Sequence, residues 1–204
     1  MNNVLFKNLE NGLTLCLIKK RGYVQKEAML AFKCGSINTQ FLTPGGKCRV
    51  PFGTAHFVEH KLFEKKHGNA FDDFSALGAN VNAFTSLDTT AYYFTCCDNF
   101  YKCLSLLGEM SANPYFTDKN VKKELGIIGS EITMYEDNPS WQAHFSMLKG
   151  LYDKHPVSYS IAGSKEDIEQ ITPKALQIFY NSYYTGGNAI LIAAGDINEY
   201  EFFS

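Results

Sequence analysis

The sequence predicts an α+β fold, a mixed and largely antiparallel sheet covered by helices, and three observations carry that expectation. Two short β-type runs open the chain, a hairpin pattern sits before its middle, and long stretches of helical periodicity separate that hairpin from a last apolar run near residue 190. With 204 residues, 45% hydrophobic and 20% charged, the chain can bury one core without disulfides or a structural metal.

GLTLCLIKK (12 to 20) alternates apolar and polar positions, and EAMLAFKCGS (27 to 36) is a compact apolar run closed by Gly35 and Ser36, so both are predicted strands. Residues 37 to 53, rich in Gly, Pro, Thr and Asn, are predicted as a loop that delivers the chain into a helix capped by Thr54. A second helical stretch, NAFDDFSALGA, leads into two β-rich runs at 81 to 86 and 90 to 97, joined through Leu87, Asp88 and Thr89 as a hairpin. A helix over 99 to 112, a break at Pro114 and a helix from Thr117 or Asp118 to about Tyr135 follow, ending in the turn EDNP. Helical patches near 140 to 152 and 173 to 184 precede NAILIAAGD (188 to 196), predicted as a short buried strand. INEYEFFS reads as the opening of one more helix, so the single domain over 1 to 204 is expected to be a fragment of something longer.

The net charge is −2, and no basic run exceeds Lys19-Lys20-Arg21 or Lys122-Lys123, so neither nucleic acid nor anionic membrane is an expected partner. The N-terminus, MNNVLFKNLENGLTL, has no basic n-region or unbroken apolar core, and no window approaches a membrane span; a soluble cytoplasmic protein is expected. Cys16, Cys34, Cys48, Cys96, Cys97 and Cys103 fall at irregular spacings without a CxxC pair, which predicts free thiols. The aromatic runs Tyr92-Tyr93-Phe94, Phe179-Tyr180 and Tyr183-Tyr184 are expected in the core.

The stretch GTAHFVEHKLFE (53 to 64) concentrates chemistry that a plain amphipathic helix has no use for. Residues four apart on a helix share a face, so His56 and His60 can aim at one point, with Glu59 one step round. Two neutral imidazoles at that spacing suit a catalytic zinc, which takes a third protein ligand, leaves one position to water and needs a carboxylate nearby that does not bind it. Glu59 fits that last role, and KKELGIIGSEITMYED offers Glu124 and Glu131, two helical turns apart, as third-ligand candidates. His67, His144 and His155 have no such partners and are expected at the surface or in hydrogen bonds.

HFVEH, an H-x-x-E-H arrangement, together with ELGIIGSE, resembles the pitrilysin and insulinase family of zinc peptidases. The resemblance extends through NAFTS, PYFTDKNVKKE and the closing strand with GDI, and through HKLFEK and MYEDNPSW it is nearest to small bacterial members. It implies one zinc per chain held by His56, His60 and Glu131, with Glu59 as general base and Glu124 supporting the catalytic site from behind the ligands. It also implies that the NAFTS strand holds a peptide by β-augmentation, with Asn82 and Ala83 as the contacts. Family enzymes have two similar halves closing around the peptide, so the missing C-terminal half, or a homologous partner subunit, is an expected partner alongside peptide substrate. The alternative is a metal-containing peptide-binding or assembly module with no turnover in the absence of that half.

Overall fold

In chain order the computed structural model, which describes residues 3–204, begins with three strands: β1 (Asn3–Asn8), β2 (Thr14–Lys19) and β3 (Lys26–Phe32). Met1 and Asn2 of the N-terminal stretch lie outside the described residues. A small hairpin, β4 (Gln40–Thr43) with β5 (Gly46–Arg49), precedes helix α1 (Thr54–Leu62), and the two-residue strands β6 (Glu64–Lys65) and β7 (Gly68–Asn69) lead into α2 (Ala70–Ala76). The hairpin β8 (Asn80–Thr85) and β9 (Thr90–Cys96) follows. Next come α3 (Phe100–Ala112), α4 (Asp118–Glu136), α5 (Pro139–Leu151), α6 (Lys165–Ile168) and α7 (Pro173–Tyr183), and then β10 (Ala189–Gly195) and α8 (Glu199–Phe203).

The fold is the mixed, largely antiparallel α+β arrangement that the sequence predicts. Its main sheet has six strands in the order β1-β2-β10-β3-β9-β8. β10 enters between β2 and β3, parallel to the first with Ile190 opposite Thr14 and antiparallel to the second with Ala189 opposite Phe32. β8 pairs with β9 alone, Ala83 standing opposite Tyr92, and therefore forms one edge of the sheet.

Alternate positions supply the core, as the period of two in a strand requires. Ala28, Leu30 and Phe32 of β3 and Tyr92 and Phe94 of β9 pack with Phe57, Val58 and Leu62 of α1, Leu107 and Met110 of α3, and Leu176 and Phe179 of α7. Tyr92, fully buried, shares a hydrogen bond of 2.9 Å with Tyr184, which satisfies its hydroxyl inside the core.

Several local expectations need correction. The predicted loop over 37 to 53 contains the β4–β5 hairpin, whose solvated strands carry little apolar signal; Leu42 there is 75% exposed. β1 escaped prediction because it is an edge strand with Val4 and Phe6 facing outward. β10 is mostly half-buried, with only Ala193 and Gly195 fully covered, so its apolar run overstates its burial.

Thr54 does not cap α1. The cap is Gly53, at φ 82°, and the Thr54 hydroxyl donates instead to the Pro51 carbonyl at 2.7 Å. Only glycine fits there, since a Cβ at residue 53 would lie 2.3 Å from the Ala162 carbonyl oxygen, which presses the 160–163 loop against the start of the helix. By contrast, Thr117 caps α4, accepting from the Asn120 N–H in a reciprocal capping box. No helix among the described residues is long and apolar enough to cross a membrane.

Candidate metal centre

α1 is buried along nearly its whole length, because it lies between the sheet and the helices that follow. Its helical period stacks His56 and His60 one turn apart, with ring centres 4.6 Å from each other. α4 passes beside them and brings Glu131 to both rings: His56 Nε2 stands 3.6 Å from one carboxylate oxygen and His60 Nε2 3.4 Å from the other. One ligand atom from each of these three residues can be chosen so that all lie within 4.8 Å of one another.

The donor set suits zinc: two imidazole nitrogens and one carboxylate, with room left on the cavity side. The outer hydrogen bonds favour the same use. His60 Nδ1 lies 3.1 Å from Glu124 Oε1, and donating there leaves Nε2 as a free lone pair facing Glu131. The Tyr135 hydroxyl donates to Glu131 Oε1 at 2.6 Å, and its ring stacks on Trp141 at 4.6 Å. His56 Nδ1 is buried and without a hydrogen-bond partner.

The electrostatics of the cluster favour a cation. Burial alone would lower the His60 pKa, but its hydrogen bonds to Glu124 and Glu131 and the nearby Glu59 charge outweigh burial and push it up to about 9. Glu131 is held well below the usual carboxylate range, first by its hydrogen bond from His56 and then by that from His60. For Glu124 burial acts upward, yet His60 and Lys61 together bring it below its ordinary value. A proton on His60 and a divalent ion on both imidazoles are competing ways of answering the same concentration of carboxylates.

Glu59 faces the same cavity, of about 350 Å³, whose wall also includes His56, His60, Glu131 and residues 82–85. Its Oε2 accepts from the Thr85 hydroxyl at 2.7 Å. Asn82 and Ala83 therefore stand beside the cluster on the sheet's edge strand, and the Ala83 N–H donates to the Asn82 side-chain carbonyl at 2.8 Å. All seven residues singled out from sequence come together around this one region. His67, His144 and His155 lie exposed, outside the cluster.

Three neighbours have contacts to the cluster's carboxylates that the sequence does not assign. Tyr135 had a readable signal, since it sits one turn beyond Glu131 on α4. Thr85 and Lys61 had none, because their partners Glu59 and Glu124 meet them only through the tertiary fold.

The family model described as Insulinase (Peptidase family M16) matches residues 50–165, a span that holds the whole cluster. An uncharacterized zinc protease of Bacillus subtilis, YmfH, is 43% identical over 195 residues, covering 94% of this chain and 45% of its own length. An M16-like peptidase from Alicyclobacillus acidocaldarius matches with a TM-score of 0.95 and 37% identity, over 99% of this chain and 48% of that one. A peptidase M16 inactive domain from Pseudomonas fluorescens shares the fold, with a TM-score of 0.84 and 21% identity over 98% of this chain and 48% of its own. The chain thus spans about half the length of the relatives it matches.

Proposed function

Because the chain belongs to the insulinase family of peptidases (peptidase family M16), we propose that it is the catalytic domain of a zinc-dependent metalloendopeptidase acting on peptides or small proteins. The observation that carries this reading is the convergence of His56, His60 and Glu131 in one cavity with Glu59, a carboxylate free to serve as base, beside an unpaired strand edge.

In this reading His56 Nε2, His60 Nε2 and Glu131 hold one zinc ion. Zinc bound there supplies Lewis acidity, making water a stronger acid and a peptide carbonyl a better electrophile. Glu59, steadied by Thr85, takes the proton from the attacking water and delivers it to the departing amine nitrogen. Glu124 acts indirectly, accepting the Nδ1–H of His60 so that Nε2 points inward. The exposed edge of β8 at Asn82 and Ala83 receives the peptide backbone as an added strand, a mode that supplies main-chain hydrogen bonds for many sequences.

The domain over residues 1–204 is read as part of a longer two-half enzyme, and the coverage of its relatives, 45% and 48%, supports that. Positioning of the peptide then depends on the remaining half or on a partner subunit. Residence in the cytoplasm accompanies this reading, supported by the six free thiols.

The test is cleavage of a peptide mixture by the complete protein, compared with its Glu59→Gln variant. Cleavage by the first, lost in the second while zinc content stays at one per chain, is the expected result. Zinc retention with peptide binding but no cleavage by the wild type would instead favour a binding module.

A further inference from the structure

Lys61 is out of place by the ordinary logic of an amphipathic helix. It follows His60 directly in α1, yet its side chain is 0% exposed. A lysine buried this far must find partners for its ammonium, and here it finds three acceptors for its three N–H donors. Nζ lies 3.3 Å from Glu124 Oε2 and 3.4 Å from the Asn120 carbonyl, both on α4, and it is hydrogen-bonded to the Glu64 carboxylate.

The carboxylate of Glu124 is therefore divided between two tasks. Oε2 meets the buried ammonium, and Oε1 meets Nδ1 of His60, the neighbour of Lys61 in sequence. Packing alone would not require this arrangement, since an unbranched apolar side chain such as methionine fills a similar volume without needing partners. What only a cation can supply is a fixed counter-charge for Glu124 on the side away from His60.

We propose that Lys61 is a positioning residue of the metal centre: by anchoring the Glu124 carboxylate from α1 and balancing its charge, it fixes the ring of His60 with Nε2 directed at the metal. This rests on the reading of His56, His60 and Glu131 as a metal site. Lys61 touches neither metal nor substrate in this scheme, and its whole effect passes through Glu124.

The test is a double-mutant cycle on zinc affinity in the complete protein. The dissociation constant is measured by competition with a chromophoric chelator for the wild type, Lys61→Met, Glu124→Gln and the double variant, with thermal unfolding of each zinc-free form recorded in parallel. Lys61→Met should loosen zinc by about 10- to 100-fold, the range for losing an outer partner of a ligand, and Glu124→Gln by a comparable factor. The double variant should be no looser than Glu124→Gln alone, because the Glu124 charge through which Lys61 acts is already gone.

A Lys61→Met dissociation constant equal to that of the wild type would overturn the proposal, as would a double variant in which the two losses multiply. Should Lys61→Met alone not fold, recovery of folding on adding Glu124→Gln, with the affinity of Glu124→Gln itself, supports the same coupling. A double variant that stays unfolded while Glu124→Gln folds would assign Lys61 to packing and end the proposal. Absence of zinc binding by the wild type is a different failure, since it removes the metal-site reading before Lys61 is at issue.

Discussion

The Thr85 hydroxyl, at the last residue of the edge strand, donates to Glu59 Oε2 at 2.7 Å, so one hydrogen bond ties the candidate base to the strand proposed to carry the peptide. A hydrogen bond to a charged group contributes about 1.5–3 kcal/mol. Thr85→Val should therefore lower kcat by about 10-fold or more while zinc content stays at that of the wild type. Steady-state kinetics with metal analysis decides it; an unchanged kcat would release Thr85 from any part in placing the base.

The two glutamates of α4 should separate cleanly. Glu131 faces both imidazoles, whereas Glu124 reaches only the far nitrogen of His60. Elemental analysis should find zinc absent from Glu131→Ala and still present, though more weakly held, in Glu124→Ala. The opposite pattern would reverse their roles.

Removing the metal should also be visible in stability. With free zinc at 100 times its dissociation constant, binding adds about 2.7 kcal/mol to the folded state. A chelator should then lower the melting temperature of the wild type and leave that of His60→Ala where it was. Equal shifts in both proteins would mean that the stabilising ion sits elsewhere.

Ala83 lies on the sheet edge with its N–H engaged only locally, by Asn82. Proline is tolerated on edge strands because no ladder bond is lost there. Ala83→Pro should keep the fold and the zinc but raise KM for peptide by about 5-fold, the worth of roughly one hydrogen bond. A variant with native KM would show that peptide does not pair at this point of β8.

Gly53 offers a test of the helix start itself. Its φ of 82° and the 2.3 Å approach of the Ala162 oxygen to a Cβ position make alanine strained on two counts. Gly53→Ala should destabilise by about 1–3 kcal/mol or more in denaturant titration. A cost near zero would require the 160–163 loop to move aside freely.

Thiol chemistry should sort the cysteines by burial. Cys97 is exposed, whereas burial pushes the Cys34 thiol up to about 12, only partly offset by its hydrogen bond with Thr90. The thiolate is the reacting form, so near neutral pH Cys34 has almost none. Alkylation followed by peptide mass mapping should label Cys97 first and Cys34 only on unfolding.

What the sequence made legible were features written in local pattern. The β8–β9 hairpin, the capped start of α4 and the one-turn spacing of His56 and His60 each arise from residues close in the chain. What it hid depends on distance. Nothing near Thr54 announces that residue 162 will press on the helix start and demand glycine at 53. Nothing in TAYYFTCC or NVNAFTS tells an edge strand from an interior one, because the backbone edges of a strand carry no side-chain signal until its neighbours are known. Lys61 reads as a solvated lysine until α4 is laid against it.

The insertion of β10 between β2 and β3 has a consequence for how the molecule is made. β2 and β3 follow one another closely in the chain but never pair, and the strand that joins them comes after the other nine described strands in sequence. A nascent chain therefore carries two unfinished sheet fragments, each with a raw inner edge, until residue 195 clears the ribosome. Closure must wait for a pairing of high sequence separation, which is slow by its nature. Helix α1 emerges long before that, so during synthesis its histidines are present without the completed sheet that α1 packs on, and chaperone protection in that interval would shield exposed strand edges more than these candidate ligands.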